Sequence, residues 1–332
     1  MSATRKVVVL GGTGFVGRHV CAAFAAAGSE VLAVARTPTS TDCRFISLSL
    51  DDVPAEALAR LLEAEGADVV VNAVGSIWGA ADRDMATRCL VPTQRLLAAL
   101  ALMRTRPRLV HLGSILEYGS DAQEESSGGT DRLPTRTAYG RAKLAATRAV
   151  LEAVTTGGVE GLVLRIANVA GPGTPEISLL GKVAQRLTEA ALHDEAAVVE
   201  LTPLKAHRDY VDVRDVAGAV VTAAAAEVTG RVIDIGSGEA VSVRDLVDLL
   251  IRASGVPTRI VEHPDESAAP EPQHWTRADI GPAREVLGWR PRRSLAEAVG
   301  DFWAETSGRP PVAMASTTSA CSRVRTESGG AP

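Results

Sequence analysis

Three polar residues have the types and spacing of a site that moves a proton onto a carbonyl oxygen: Ser114, Tyr139 and Lys143. Tyr139 and Lys143 are four residues apart in a segment with helical periodicity, so they share one face of a helix. A tyrosine can donate the proton if its pKa, ordinarily ~10, is lowered towards neutrality, and a neighbouring ammonium group would lower it. Ser114 would hydrogen-bond the substrate oxygen. The same spacing also occurs in surface pairs, so the assignment depends on the surrounding elements.

The elements that must position these residues alternate between strand and helix through the first half of the chain. Short apolar runs predict strands, and apolar residues at helical spacing predict helices. The predicted strands are 7–10, 30–35, 44–50, 68–72, 108–112 and 159–166, and the predicted helices are 18–27, 54–65, 84–103 and 137–154. This alternation indicates an α/β fold with a doubly wound parallel sheet of the Rossmann type. Ligands bind such sheets at the carboxyl ends of the strands, where Ser114 lies.

The second half of the chain is less regular. Its predicted helices are 178–192, 212–226 and 242–254, and its predicted strands are 198–201 and 231–235. Ser242 is the predicted N-cap of the last helix, with Asp245 three residues on, as in a capping box. Beyond Gly308 half of the residues are serine, threonine, glycine or proline and little can be buried, so residues 306–332 are predicted to be a disordered tail.

A glycine-rich turn follows the first predicted strand. Its backbone N–H groups and the helix N-terminus behind it favour a pyrophosphate, although an ordinary strand–helix turn is the alternative. Gly11 can adopt the turn conformation, Gly14 lets a phosphate approach, and Gly17 lets helix and strand pack closely. The predicted cofactor contacts lie in this turn, after the fourth strand and on the 137–154 helix. They are Gly11, Thr13, Gly14, Phe15, Val16, Gly17, Ala73, Val74, Gly75, Tyr139 and Lys143.

The residue at the end of the second strand distinguishes the two dinucleotides. An acidic residue there binds the adenosine ribose of NAD, whereas an arginine accommodates the 2′-phosphate of NADP. The strand ends at Arg36, which can pair with a phosphate, so NADPH is predicted over NADH. The alternative is that Arg36 is a solvated loop residue that stacks on adenine. Asp51, after the third strand, is predicted to approach the adenine amino group or to cap a helix.

Composition excludes several classes of protein. The 332 residues carry a net charge of -5, which gives no basic surface for nucleic acid. No apolar run approaches the ~18 residues of a membrane span, and residues 1–3 lead directly into the first strand, so neither a membrane segment nor a signal peptide is expected. The four cysteines form no CxxC pair, which argues against a metal site or a disulfide framework. We therefore expect a cytoplasmic protein.

The ordered motifs resemble the extended short-chain dehydrogenases/reductases, in the NAD(P)-dependent sugar epimerase/dehydratase family. The matching segments are Gly-Gly-Thr-Gly-Phe-Val-Gly, His-Leu-Gly-Ser-Ile-Leu-Glu-Tyr-Gly, Tyr-Gly-Arg-Ala-Lys, Leu-Arg-Ile-Ala-Asn-Val-Ala-Gly-Pro-Gly, His-Arg-Asp-Tyr-Val-Asp-Val-Arg-Asp-Val, Ile-Gly-Ser-Gly-Glu and Leu-Gly-Trp-Arg-Pro. The resemblance implies a Rossmann domain over 1–166, to which 206–236 returns. It also implies a smaller C-terminal domain over 167–205 and 237–305 that binds a nucleotide sugar.

The resemblance also implies residues that contact the sugar nucleotide. Asn168 matches an asparagine that approaches the diphosphate, and Arg208 matches an arginine that pairs with it. The alternative for Arg208 is a structural pair with Asp209 or Asp212. The predicted substrate contacts are Ser114, Ile115, Tyr139, Asn168 and Arg208, and Lys205 and His207 would add positive charge near them.

Departures from the family pattern reduce the number of reactions that this chain is expected to catalyse. Sugar 4,6-dehydratases follow the active-site hydroxyl with Asp-Glu, whereas Ile115 and Leu116 follow Ser114 here, and Glu117 is displaced by one position. Elimination of water is therefore not expected. Cys89 stands where the family often has an asparagine.

The remaining reaction is reduction of a keto group by NADPH. The resemblance suggests that the substrate is a nucleotide-linked, for example TDP-linked, 4-keto-6-deoxyhexose. Such a reaction would supply deoxysugars for cell surfaces or glycosylated natural products such as antibiotics. A 4-epimerase with tightly bound NAD and a non-catalytic NADP-sensing protein are the alternatives. The family resemblance also implies a homodimer formed through the helix that carries Tyr139 and the long helix before the fifth strand.

Overall fold

The structure is a computed structural model that describes residues 4–38, 43–75, 81–119, 135, 137–263 and 275–312. The strands are β1 (Lys6–Leu10), β2 (Glu30–Ala35), β3 (Arg44–Ser47), β4 (Val69–Asn72), β5 (Arg108–Ser114), β6 (Glu160–Ile166), β7 (Asn168–Ala170), β8 (Ala197–Leu201), β9 (His207–Asp212), β10 (Val232–Ile235), β11 (Ala240–Ser242), β12 (Thr258–Glu262) and β13 (Trp275–Thr276). The α-helices are α1 (Phe15–Ala26), α2 (Ala55–Glu65), α3 (Met85–Leu102), α4 (Ala138–Thr155), α5 (Leu179–His193), α6 (Val213–Ala225), α7 (Val243–Ser254), α8 (Gly281–Leu287) and α9 (Leu295–Ser307).

The main layer is a seven-stranded parallel sheet in the order β10-β6-β5-β4-β1-β2-β3. The central strands β1, β2 and β4 are apolar along nearly their whole length because helices cover both faces of the sheet. In β1, Val7 and Val9 pack on one side with α1 and α6, while Val8 and Leu10 pack on the other with α2, α3 and α4. The predicted α/β Rossmann fold is confirmed, and the strand order reverses between β1 and β4, where ligands of such sheets bind.

A smaller second unit packs beside the carboxyl ends of these strands. Its sheet has β9 at the centre, paired with β7, β11 and β13, and a separate ribbon joins β8 to β12. Helices α5, α7 and α9 bury its core, to which Phe302 and Trp303 contribute the largest side chains. The chain passes repeatedly between the two units, because β10 joins the main sheet only after β7, β8 and β9 have been laid down.

Two boundaries differ from the predicted ones. We expected 206–236 to return to the main layer, but β9 belongs to the second sheet and only α6 and β10 return. The predicted tail at 306–332 also begins too early. Helix α9 extends to Ser307, Arg309 donates a hydrogen bond to the Ala191 carbonyl of α5 (2.9 Å), and the Val312 N–H donates one to the Ala253 carbonyl of α7 (2.9 Å), so the chain stays packed on this unit to residue 312. Residues 313–332 lie outside the described residues.

Within the described residues, no helix is both long and apolar enough to cross a membrane. Helices α3 and α4, the pair predicted to form a dimer interface, pack against each other on one face of the main sheet. Dimerisation through their outer surfaces stays a prediction.

Candidate active site

A pocket of about 330 Å³ lies at the carboxyl ends of β1, β2, β3 and β4. Eight of the predicted cofactor residues line it: Gly11, Thr13, Gly14, Arg36, Asp51, Ala73, Val74 and Gly75. Phe15 and Val16, which begin α1, and Gly17, which packs beneath the turn, are not among the lining residues. The structure thus brings together the predicted residues from four separate segments of the chain.

The glycine turn has the backbone geometry that a pyrophosphate requires. Gly11 has φ +79°, and a Cβ on Gly17 would lie 2.0 Å from the Gly11 carbonyl oxygen, so neither position accepts a side chain without movement. Gly14 is the N-cap of α1, no side chain caps this helix, and its first turn contains no acidic residue. The N–H groups at this end of α1 are therefore oriented towards the pocket without a competing anion, and the residues present fit a dinucleotide.

The adenosine end of the pocket is formed after β2 and β3. Arg36 is exposed, lines the pocket and is positioned by the hydrogen bond that Ser47 Oγ donates to its carbonyl (2.9 Å). The predicted alternative for Asp51, a helix cap, is wrong, because Pro54 is the N-cap of α2 and no side chain caps that helix. Asp51 therefore stays a predicted adenine contact.

Seven of the lining residues were not predicted from the sequence: Val34, Ala35, Thr37, Leu48, Leu50, Arg88 and Pro92. The first five flank Arg36 or follow β3, so their position at strand ends was an available signal. Arg88 and Pro92 come from α3, and nothing in the local sequence shows that this helix reaches the pocket.

The three predicted catalytic residues converge beside this pocket. Ser114 is the last residue of β5, and Tyr139 and Lys143 lie on consecutive turns of α4. The Ser114 side chain is close enough to the Tyr139 hydroxyl to lower its pKa. Lys143 Nζ donates a hydrogen bond to the Leu112 carbonyl (2.5 Å), and it would lie 3.5 Å from a Cβ placed on Gly75, which lines the pocket. The lysine thus connects the Ser114–Tyr139 pair with the dinucleotide pocket.

Local capping fixes where this helix begins. Thr137 is the N-cap of α4, and its Oγ1 accepts a hydrogen bond from the Gly140 N–H (3.0 Å). A Cβ on Gly140 would lie 2.2 Å from the Leu116 carbonyl oxygen, so the first turn of α4 packs directly on the turn that follows Ser114. Tyr139 is held within reach of Ser114 by this contact.

The expected pKa of Tyr139 is corrected by the structure. We expected Lys143 to lower it, but burial raises it, and the negative charges that Cys89 and Glu117 can carry raise it further. The hydrogen bond with Ser114 opposes this change. Burial also lowers the pKa of Lys143, against which Cys89 and Glu117 act in the opposite direction. Tyr139 is therefore protonated at neutral pH, which is the state in which it can donate a proton.

Two residues named in the sequence analysis have defined packing positions. Ile115, a predicted substrate contact, is buried against Ala278 and Ile280, so its side chain packs in the core and its substrate contact stays a prediction. Cys89 is buried on α3, beside both Tyr139 and Lys143, where the family often has asparagine. The thiol therefore lies next to the reacting groups.

The predicted diphosphate residues lie on paired strands of the second unit. Asn168, on β7, is opposite Tyr210 of β9, and its amide donates a hydrogen bond to the Asp209 carbonyl (3.1 Å). The alternative for Arg208, a structural pair with Asp209 or Asp212, is wrong. The Asp209 carboxylate accepts hydrogen bonds from the backbone of residues 237, 238 and 278, and Asp212 pairs with Arg214 (2.6 Å).

His207 also lies on β9, and exposed Lys205 precedes it. Both are therefore near the strand that carries Arg208, and their contribution to substrate binding stays a prediction.

Comparison with known proteins identifies the family and the relatives that this chain resembles. The profile described as "NAD dependent epimerase/dehydratase family" matches residues 7–236. The dTDP-6-deoxy-L-talose 4-dehydrogenase (NAD(P)(+)) of Kitasatospora kifunensis is 43% identical over 311 residues, which are 93% of this chain and 98% of that protein. GDP-6-deoxy-D-mannose reductase of Pseudomonas aeruginosa is 27% identical over 89% of this chain and 95% of its own length. The structure of RMD from Pseudomonas aeruginosa complexed with NADPH has a TM-score of 0.78 at 25% identity, covering 92% of this chain and 100% of that one.

Proposed function

This chain belongs to the NAD dependent epimerase/dehydratase family, within the extended short-chain dehydrogenases/reductases, and we propose that it reduces the 4-keto group of a nucleotide-linked 4-keto-6-deoxyhexose with NADPH. The observation that carries the proposal is the position of partly buried Tyr139 on α4 beside Ser114 and Lys143, with a raised pKa that keeps its phenol protonated. Next to it, Glu117 is enclosed in an ion pair with Arg165 (2.7 Å), which leaves that carboxylate unsuited to remove a proton from a sugar. A proton donor without an adjacent open base fits reduction better than elimination.

Each residue has a defined part in this reaction. Ser114 and Tyr139 would hold the carbonyl oxygen of the sugar, and Tyr139 would donate its proton to that oxygen. Lys143 would bind the nicotinamide ribose and place a positive charge near the oxygen that gains negative charge. When bound, the reduced nicotinamide supplies the hydride to C4. The pocket residues around Gly11 and Arg36 would fix the two ends of the cofactor.

The relatives support the substrate class. The Kitasatospora protein is named as a 4-dehydrogenase of a dTDP-linked 6-deoxyhexose, and oxidation at C4 is the reverse of the reduction proposed here. The Pseudomonas protein is named as a reductase in which the sugar carries GDP. Because this chain is more similar to the first over nearly its whole length, we propose a dTDP-linked substrate.

The test is to follow the absorbance of reduced nicotinamide with the purified protein and a dTDP-4-keto-6-deoxyhexose, supplied separately in the D and L series. We expect one NADPH to be oxidised for each sugar reduced. The opposite result is sugar interconversion without net NADPH oxidation by a protein purified with nicotinamide bound. That result would replace the reductase with a 4-epimerase.

Replacing Arg36 with alanine should raise the KM for NADPH and leave the KM for NADH nearly unchanged. A charged hydrogen-bonded pair is worth about 1.5–3 kcal/mol, so kcat/KM with NADPH should fall about 10- to 100-fold. The measurement is initial rate against each cofactor at saturating sugar. Arg60→Ala, which removes an exposed arginine of α2 outside the pocket, is the matched control. Equal effects of R36A on both cofactors would show that Arg36 does not recognise the 2′-phosphate.

Replacing Arg208 with methionine should raise the KM for the sugar nucleotide about 10-fold and change kcat much less, because a diphosphate contact is remote from C4. Methionine retains the length of the side chain and removes the charge. Arg259→Met, at an exposed position on β12, is the matched control. A fall in kcat at unchanged KM would contradict the assignment of Arg208 to the diphosphate.

A further inference from the structure

A second arginine, Arg88, belongs to the cofactor pocket, on the wall that α3 forms. It lies in the first turn of that helix and is half-buried, and Pro92, one helical turn further on, lines the same pocket. Neither the glycine-rich turn nor the Tyr139–Lys143 pair explains a cation at this position. The proposed reaction therefore leaves Arg88 without a role.

Two contacts hold this face of α3 against the pocket. Arg95 Nη1, seven residues after Arg88 and on the same face of the helix, donates a hydrogen bond to the Leu50 carbonyl (2.9 Å), and Leu50 itself lines the pocket. At the beginning of the helix, a Cβ on Gly75 would lie 3.8 Å from the Arg88 carbonyl oxygen. The first turn of α3 is thus fixed beside the segment that follows β4.

The same segment connects Arg88 with the glycine-rich turn. A Cβ on Gly11 would lie 2.9 Å from the Ala73 carbonyl oxygen, so the turn packs on the start of the segment whose end, at Gly75, lies beside Arg88. The Cα–Cβ bonds of a helix tilt towards its N-terminus, which for α3 lies at the carboxyl edge of the main sheet. This tilt directs the Arg88 side chain towards the edge at which the glycine-rich turn lies.

The charge of a dinucleotide gives a reason for a cation at this edge. Its pyrophosphate carries two negative charges, whereas the N-terminus of a helix such as α1 supplies the equivalent of only about +0.5. Among the described residues that line the pocket, the other charged side chains are Arg36 and Asp51, both at the adenosine end. Arginine can pair with two phosphate oxygens at once, so Arg88 is suited to supply the missing charge.

We propose that Arg88 is a ligand of the cofactor pyrophosphate: its guanidinium pairs with the phosphates from the α3 wall, while the glycine-rich turn binds them through backbone N–H groups. The inference rests on the dinucleotide binding that the proposed function requires, and deepens it. The two arginines of the pocket then have different roles. Arg36 recognises the 2′-phosphate, which only NADPH has, whereas Arg88 recognises the pyrophosphate, which NADPH and NADH share.

The experiment measures the affinity of the wild type and of Arg88→Met for two cofactor fragments, by calorimetry and without any sugar. ADP-ribose contains the pyrophosphate but no 2′-phosphate, whereas adenosine 2′-monophosphate contains the 2′-phosphate but no pyrophosphate. R88M should bind ADP-ribose about 10- to 100-fold more weakly, the range for a charged hydrogen-bonded pair, and bind adenosine 2′-monophosphate nearly as the wild type does. R36A should show the opposite pattern.

The intact cofactors and a charge-retaining variant give a second comparison. The fluorescence of the reduced nicotinamide should show that R88M loses the same factor in affinity for NADPH and for NADH. Arg88→Lys should recover part of that loss, because lysine retains the charge but not the paired donors of arginine. Arg83→Met, which removes an arginine with an 88% exposed side chain just before α3, is the matched control and should leave all affinities unchanged.

Three results would overturn the proposal. Equal losses for the two fragments in R88M would show that the side chain packs on adenine. A loss confined to adenosine 2′-monophosphate and NADPH would make Arg88 a second ligand of the 2′-phosphate. Unchanged affinities would show that Arg88 lines the pocket without binding the cofactor. Should R88M prove unstable, Arg88→Gln removes the same charge and gives the same comparison.

These titrations separate the role of Arg88 from the proposed reduction, because they contain no sugar. A loss of ADP-ribose affinity in R88M supports the pyrophosphate contact even if no 4-keto sugar is reduced. Reduction of the sugar together with unchanged ADP-ribose affinity in R88M would contradict the role of Arg88 alone. A wild type that binds no dinucleotide would contradict both.

Discussion

Phenylalanine in place of Tyr139 should lower kcat for 4-keto reduction by about 10²- to 10⁴-fold, the usual contribution of a positioned proton donor. The substitution removes only the hydroxyl, because the ring packs against Met85, Cys89 and Ala142 and phenylalanine retains these contacts. We therefore expect the sugar KM and the melting temperature to change little. Rapid measurement of NADPH oxidation over a range of sugar concentrations separates kcat from KM.

Two controls make the Tyr139 result specific. NADPH binding, followed by the fluorescence of the reduced nicotinamide, should be retained in Y139F, which shows that the cofactor pocket is intact. Tyr118→Phe removes the hydroxyl that contacts Asp234 and retains the ring beneath Arg165, so kcat should change at most a few-fold. Full turnover by Y139F with NADPH bound would show that another group donates the proton.

Alanine in place of Gly17 should lower the free energy of unfolding and weaken NADPH binding. The new Cβ would lie 2.0 Å from the carbonyl oxygen and 2.8 Å from the carbonyl carbon of Gly11, and backbone atoms cannot move aside as a flexible side chain can. Overpacking of this kind costs about 1–3 kcal/mol. Helix α1 would also have to move away from the turn, so we expect NADPH affinity to fall more than 10-fold. Urea denaturation and a binding titration measure the two effects.

The matched control for G17A is Gly218→Ala, which makes the same change inside α6. A Cβ on Gly218 would meet nothing within 4 Å, and alanine is a better helix former than glycine by roughly 0.5–1 kcal/mol. G218A should therefore be slightly more stable than the wild type and bind NADPH normally. If G17A matched G218A in both measurements, the close packing of α1 on the turn would not be what the site requires.

The strands of the main sheet were predictable because each is an apolar run, and these runs alternate along the chain with amphipathic helices. Predicted and observed bounds for β2 agree at both ends, Glu30 and Ala35. Apart from β8, which was predicted as 198–201, the strands of the second unit gave no such signal. β9 begins with His207, Arg208 and Asp209, and β7, β11 and β13 span only two or three residues each. Their pairing depends on tertiary contacts rather than on local sequence.

In the candidate site, residue spacing was sufficient to predict which groups meet, and insufficient to predict their environment. Ser114, Tyr139 and Lys143 converge as the motif order indicated. The direction of the Tyr139 pKa change was wrong, because burial and the charge of Glu117 come from elements distant in sequence. Glu117 stands three residues after Ser114, which is the spacing of the capping box that the two residues form, but its pairing with Arg165, 48 residues further along the chain, had no local signal.

The repeated passage of the chain between the two units has a consequence for folding. Strand β6 becomes an interior strand only when β10 pairs with it, and β10 is synthesised after much of the second unit. Until then, the 7-residue β6 presents the edge of unpaired backbone N–H and C=O groups that promotes aggregation, and afterwards the edge is the shorter, 4-residue β10. A fragment that ends after Ile166 would keep that edge permanently. The two units therefore cannot be separated by truncation, and newly made chains depend on completion of the second unit to protect the first.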